Sequence, residues 1–260
     1  MIYDLAKKIS KLVYNLLAIV LFLLVWEITA RSGAFNPTFL PPFSKVAQAF
    51  WSLAMTGILF HHLIISLGRA LFGFAVGLVI AVPLGLLIGW NREFERFIDP
   101  LLQTFRQTSA LSLFPVFILL FGIGETSKVA IIFWGVQWPI LLSTIAGVRS
   151  VEPLLIKSAR SMGASSVTLF HKVILPGAFP SIFTGIRLSA TYSILILIAA
   201  EMIGSNAGLG FLLYTSETNF QIPEMYAAIL TMSLLGLTLN YLLLGIGSRI
   251  IRWKEELPVH

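Results

Sequence analysis

The chain has 260 residues, of which 57% are hydrophobic and only 12% charged, with a formal net charge of +6 and a mean hydropathy of +0.89. Soluble domains carry about 25% charged residues, so a water-soluble globule is excluded and an all-α protein solvated by lipid is implied. There is no cysteine, which removes disulfides and thiolate metal sites from consideration.

A membrane-crossing helix needs about 20 mostly apolar residues at a rise of about 1.5 Å each. About six stretches qualify: Leu12–Ala30, Ser66–Trp90, Pro100–Phe121, Val129–Val148, Phe183–Gly204 and Tyr226–Ile250. The first has a basic start, "KKISKLVYNLLAIVLFLLVW", that also suits a cleaved signal peptide. Its apolar run is long for that role and no small-x-small site follows closely, so it is read as a retained span. The Pro-rich "NPTFLPP" then leads into "KVAQAFWSLAM", a segment too short and too mixed to cross, read as a surface helix N-capped by Ser44.

Polar groups inside spans are costly and are therefore candidates for a solute pathway. On the third span Gln103, Arg106, Ser109 and Ser112 follow one another at i+3, with Gln107 at i+4 from Gln103, which predicts a drifting polar stripe. The fourth span carries Gln137 and Thr144, with Pro139 between them; the fifth carries Arg187, Thr191 and, near its end, Glu201. The alternative reading is structural: Ser, Thr and Gln bond helices together in membranes, arginines near span ends snorkel to the interface, and Glu201 either caps a mouth or braces a loop.

About 35 residues separate spans four and five, "VRSVEPLLIKSARSMGASSVTLFHKVILPGAFPSI". Unstructured loops beyond roughly 12–15 residues usually have a function, and this one is not featureless. Pro153 suits the first turn of a helix, Leu155, Ala159 and Met162 fall on one face, and Gly163 suits its end. A second short helix, "SSVTLFHKVIL", is expected to stop at Pro176. Two uses fit such a pair: resting on headgroups, or docking a partner protein.

Orientation follows from the Lys/Arg content of short loops. Lys7, Lys8, Lys11, Arg92, Arg96, Arg149, Lys157, Arg160, Lys172, Arg249, Arg252 and Lys254 fall at one set of span ends, against little beyond Arg31, Lys45 and Lys128 at the other. Both termini and the long loop are placed in the cytoplasm, and the basic balance is explained without nucleic acid. No repeat or linker divides the chain, so residues 1–260 are read as one transmembrane domain. His61, His62, His171 and His260 show no metal-ligand spacing, and no nucleophile–base set for hydrolysis is evident.

The long loop resembles that of the permeases of bacterial ABC importers, whose pattern is Glu-Ala-Ala, three residues, Gly, nine residues, Ile-x-Leu-Pro. Ala159, Gly163, Leu175 and Pro176 match, Val173 stands for the Ile, and Lys157 and Ser158 depart from the expected Glu and Ala. Similarity extends to "LPPFSKVAQAF", "RFIDPLLQTFR", "FGIGETSK", "GVRSVEPLL" and "AAEMIGSNAGLGFLL", which together resemble permeases for taurine, aliphatic sulfonates, nitrate and related compounds. "RQTSALSLFP" departs, standing where a more Pro-rich stretch is expected.

The resemblance implies a type I importer architecture in the bacterial plasma membrane, with a cytoplasmic coupling helix between spans four and five. The loop from about 149 to 180, including Met162, would dock on an ATPase. It also implies two separate ATPase subunits carrying Mg-ATP, an external substrate-binding protein, and a second permease copy in a homodimer. The chain itself has no G-x-x-x-x-G-K-[ST] phosphate loop, so any ATP is hydrolysed by another chain. The implied cargo is a small organic anion such as a sulfonate. The alternatives are an ion-coupled secondary carrier, for which paired halves with broken helices are not evident, and an intramembrane enzyme.

Overall fold

The computed structural model describes residues 2–36 and 38–250, without the side chains of 2–13, 15 and 16. Arg252, Lys254 and His260 lie outside the described residues, as do the side chains of Lys7, Lys8 and Lys11. Every regular element is helical: α1 Ile2–Arg31, α2 Phe43–Met55, α3 Ile58–Trp90, α4 Arg92–Gln107, α5 Ala110–Phe121, α6 Glu125–Arg149, α7 Pro153–Ser161, α8 Ser166–Leu169, α9 Leu175–Gly204, α10 Leu209–Thr218 and α11 Ile222–Ile250. They form two compact units, Met1–His62 with Leu212–Thr231, and Leu63–Phe211 with Met232–His260.

In the first unit α1 exposes apolar side chains, among them Leu17, Val20, Phe22 and Val25, as a helix solvated by lipid does. Its end is tied to α2 by polar contacts. Trp26 Nε1 donates to Pro41 O at 3.1 Å, and the Ser44 N–H and hydroxyl donate to Glu27 at 3.0 and 2.9 Å. Ser44 is therefore not the N-cap; Pro42 holds that position. Proline pre-sets the chain for helix entry, and the Glu27 carboxylate from α1 accepts from a first-turn N–H that a capping hydroxyl would otherwise serve.

In the second unit α6 packs against both α3 and α9, and glycines decide how closely they approach. Gly73, Gly77, Gly85 and Gly89 of α3 face Ile132, Val136, Thr144 and Val148 of α6. Both sets recur at multiples of four, so a ridge on α6 fills a groove on α3. A Cβ at Gly85 would stand 2.6 Å from Thr144 Cβ, and one at Gly73 2.7 Å from Ile132 Cβ. Gly147 and Gly185 do the same between α6 and α9, backed by Ser189 Oγ donating to Val136 O at 2.7 Å. Lipid supplies no hydrophobic drive between helices, so such close backbone approach is what holds them together.

Among the described residues, four helical runs are long and apolar enough to cross a membrane: Ile58–Trp90, Glu125–Arg149, Ser166–Gly204 and Ile222–Ile250. The predicted third span is not one helix. α4 and α5 meet at a bend of 92°, where Thr108 and Ser109 both take extended backbone. Hydroxyl side chains compete for backbone hydrogen bonds and favour such breaks; Thr108 Oγ1 donates back to Thr104 O at 3.3 Å. α4 begins at Arg92, capped by Asn91, whose side chain accepts from Glu93 N and Phe94 N at 3.1 and 3.2 Å.

Candidate functional site

The long loop builds a two-faced platform. α7 starts at Pro153, as the sequence indicates, and ends in a paired carbonyl cap: Gly163 N donates to Arg160 O at 3.0 Å and Ala164 N to Ala159 O at 3.1 Å. That arrangement needs a left-handed residue, and Gly163 supplies it at φ +80° with open space around its Cα. The glycine is thus required for backbone conformation and not for room.

The buried side of α7 differs from the expected face. Ala159 joins Val148, Val151, Leu169, Ile174, Ala178 and Ile182 in one apolar cluster, with Ile156 and Val173 packed on it. Leu155 and Met162 instead stay 53% and 81% exposed. The three do share a stripe, but the core meets only its edge: the inward direction runs between Ala159 and Ile156, and Ile156 stands about 100° around the helix from Leu155. Lys157, Ser158, Gly163 and Pro176 are also exposed, and Leu175 is half-buried.

Pro176 does not stop the second helix. α8 continues through a π segment, Phe170–Ile174, into α9, and Leu175 N donates to Phe170 O, five residues back. A proline within the first turn of a helix loses no bond it would have made there; the π turn supplies the register change upstream. One helical run, Ser166–Gly204, therefore joins the loop to the fifth predicted span.

At the opposite end of α3, α6 and α9 lies a buried ion network. Glu201, only 1% exposed, accepts from Ser66 Oγ at 2.8 and 2.9 Å, Arg69 Nη1 at 2.7 Å and Gly210 N at 2.9 Å. Arg69 also donates to Ala207 O at 2.6 Å and grips Glu125 with two bonds of 2.6 Å; Lys128 pairs with Glu125 at 3.2 Å. Ser66 in turn accepts from Leu209 N at 2.8 Å. Gly208, at φ +120°, sits where a Cβ would strike the Glu201 carboxylate. Through Gly210 N, Glu201 is bonded to the start of α10, a contact of the kind that braces a loop. The sequence reading missed Arg69, although it is the lone Asp, Glu, Lys or Arg in α3, a usable signal given the cost of a charge in an apolar span.

The remaining polar candidates are dispersed. The break places Gln103, Arg106 and Gln107 on α4, Ser109 at the start of α5 and Ser112 within it, so the single stripe does not form. All five are exposed, as is Thr191, while Gln137 is half-buried. Thr144 is fully buried, donating to Ile140 O at 2.7 Å and packing on Gly85. Near the break Phe105 meets Trp134 at 5.7 Å and Trp138 at 6.4 Å between ring centres. The buried indole N–H groups of both tryptophans meet no acceptor among the described residues.

The chain is similar to known proteins over most of its length. The family described as the binding-protein-dependent transport system inner membrane component matches residues 77–254. The chain is 39% identical over 212 residues to a protein named as an aliphatic sulfonates transport permease, SsuC of Escherichia coli K12, covering 82% of this chain and 81% of that one. It is 31% identical over 239 residues to the taurine transport system permease TauC of the same organism, covering 90% and 87%. Among solved structures, an inward-facing MetNI methionine ABC transporter chain superposes with a TM-score of 0.64 at 21% identity, covering 76% of this chain and 97% of that one, which shows a shared fold. The chain therefore belongs to the binding-protein-dependent transport system inner membrane components, and is a multi-pass plasma-membrane permease of an ABC importer.

Proposed function

We propose that this permease carries a small organic anion, such as a sulfonate, or a nitrate-like anion into the cytoplasm, receiving it from an external binding protein. Two separate ATPase subunits hydrolyse Mg-ATP, and two copies of this chain, each a single transmembrane domain over residues 1–260, form the passage. Both termini and the 149–180 loop face the cytoplasm. The substrate class rests on the names of relatives such as SsuC and TauC. Exposed Gln103, Arg106, Gln107, Ser109, Ser112 and Thr191, with half-buried Gln137, remain the pathway candidates; buried Thr144 and Glu201 act through packing and bracing.

The observation that carries the reading is the platform on α7. Leu155 and Met162 are exposed, while Ala159, beside them at the inner edge of the helix, joins Ile174, Ala178 and Ile182 in the buried cluster. An apolar face exposed on a short helix suits docking on a partner protein. Because α8, the π segment and α9 are one helical run, a push on the loop reaches the span directly. Residues 157–163 and 173–176 are thus assigned to coupling: Lys157, Ser158, Ala159, Met162 and Gly163 shape the docking helix, and Val173, Leu175 and Pro176 join it to α9.

The test is co-purification from the native host followed by uptake in vesicles. The intact chain is expected to bring down an ATPase in near-equimolar amount. Gly163→Asp and Met162→Asp are expected to lose it, by about ten-fold or more if two anchoring contacts are worth roughly 1.5 kcal/mol. A chain that purifies alone and transports under an ion gradient without ATP would overturn the reading.

A further inference from the structure

Behind the docking face lies a cavity of about 610 Å³ whose lining includes Arg92, Arg149, Lys157 and Arg160 and no carboxylate. Arg149 is paired with Glu95. Among the described residues Arg92, Lys157 and Arg160 have no acidic group within ion-pair distance. Three helices thus bring four cations to one hollow, one of them paired with Glu95. Like charges so placed repel, and an anion in the hollow relieves that repulsion.

The hollow adjoins an apolar groove. Trp90 and Ser166 line both, and the groove, about 460 Å³, runs along α3 past Leu87, Leu86 and Pro83, with Phe170 opposite. The junction stands where α3 and α6 end, hence at headgroup depth, and tryptophan is the residue that favours that depth. A cationic hollow continuous with an apolar groove fits a molecule with an anionic head and a hydrocarbon tail; a free anion would make no use of the groove.

We infer that this paired hollow and groove bind an anionic phospholipid, the phosphodiester against Arg92, Arg149, Lys157 and Arg160 and an acyl chain along Pro83–Trp90. Zwitterionic lipids bring an ammonium toward the same cations and bind less well. The bound lipid ties α7 to the ends of α3 and α6, so bilayer charge bears on how firmly the docking helix is held. The inference goes beyond the transport reading, and its test needs neither ATPase nor cargo.

The full-length chain is purified in detergent, offered equimolar phosphatidylglycerol and phosphatidylcholine, and weighed intact by native mass spectrometry. Phosphatidylglycerol is expected to be retained about ten-fold over phosphatidylcholine, each nearby cation contributing a share of the attraction. Arg92→Gln with Arg160→Gln is expected to reduce that preference at least five-fold, by the same attraction, while Arg92→Lys with Arg160→Lys keeps it. Equal retention of the two lipids by the wild type, or an undiminished preference in the glutamine variant, overturns the inference. So does displacement by glycerol 3-phosphate at the concentration of the lipid, which would assign the hollow to a free phosphate. If the glutamine variant does not fold, the wild-type ratio alone decides.

Discussion

Glu201 shows what one buried carboxylate does when its surroundings are complete. Its side chain is sealed from solvent, yet Ser66, Arg69 and Gly210 supply donors to both oxygens. Removing one member of a buried ion pair costs up to about 3–5 kcal/mol, and less where, as for Arg69, a second carboxylate stays bound. Glu201→Gln is therefore expected to lower the thermal transition of the purified permease far more than Glu93→Gln, whose pair with Arg96 is exposed on both sides and whose loss is expected at or below about 1 kcal/mol. Gly208→Ala should resemble the first, since it adds backbone strain to a clash with the carboxylate. Equal transitions for Glu201→Gln and Glu93→Gln would show that the network does not support the fold. The sequence made Glu201 conspicuous but not its partners, because Ser66 stands 135 positions away and no local spacing relates them.

Among the elements, the seam of α3 on α6 and the bend between α4 and α5 make the contrast between local and non-local causes. The seam depends on glycines that face side chains of another helix. Gly85→Val drives carbon into Thr144 and is expected to cost about 1–3 kcal/mol by overpacking, read as lost folded yield. Gly236→Ala, in α11 with nothing near its Cα, is expected to be neutral or slightly stabilising, as alanine favours helix over glycine by about 0.5–1 kcal/mol. Two variants of equal yield would refute the seam. The bend was hidden from pattern reading because Pro100–Phe121 has the length of a span. With 12 residues in α5, that helix reaches only about 18 Å, short of the roughly 30 Å hydrocarbon core.

For the molecule as a whole, the cysteine-free chain makes sidedness directly measurable. Single substitutions Ser205→Cys and Lys157→Cys place a thiol at each end of the second unit, beside the Glu201 network and on α7. A membrane-impermeant maleimide is expected to label Ser205→Cys in intact cells, and Lys157→Cys only after permeabilisation. Labelling of both from one side would reverse or dissolve the proposed orientation. The same ends are joined by one helical run, which leads from α8 toward the clasp where Glu201 holds the start of α10.

Composition and hydropathy were sufficient to establish a helical membrane protein, because a bilayer rewards apolar length regardless of what each helix touches. Local rules were also sufficient for α7, since Pro153 and Gly163 act on their own backbone: one enters a helix without losing a bond, the other takes a conformation that side chains disfavour. What no local rule contained was which side of α7 turns inward, that Pro176 is carried by a π turn, and that Arg69 reaches Glu201. Those depend on the packing partners of Ala159, the register set upstream of Leu175, and the meeting of α3 with α9. Only the folded chain brings such residues within van der Waals or hydrogen-bond range, so only the tertiary structure decided them.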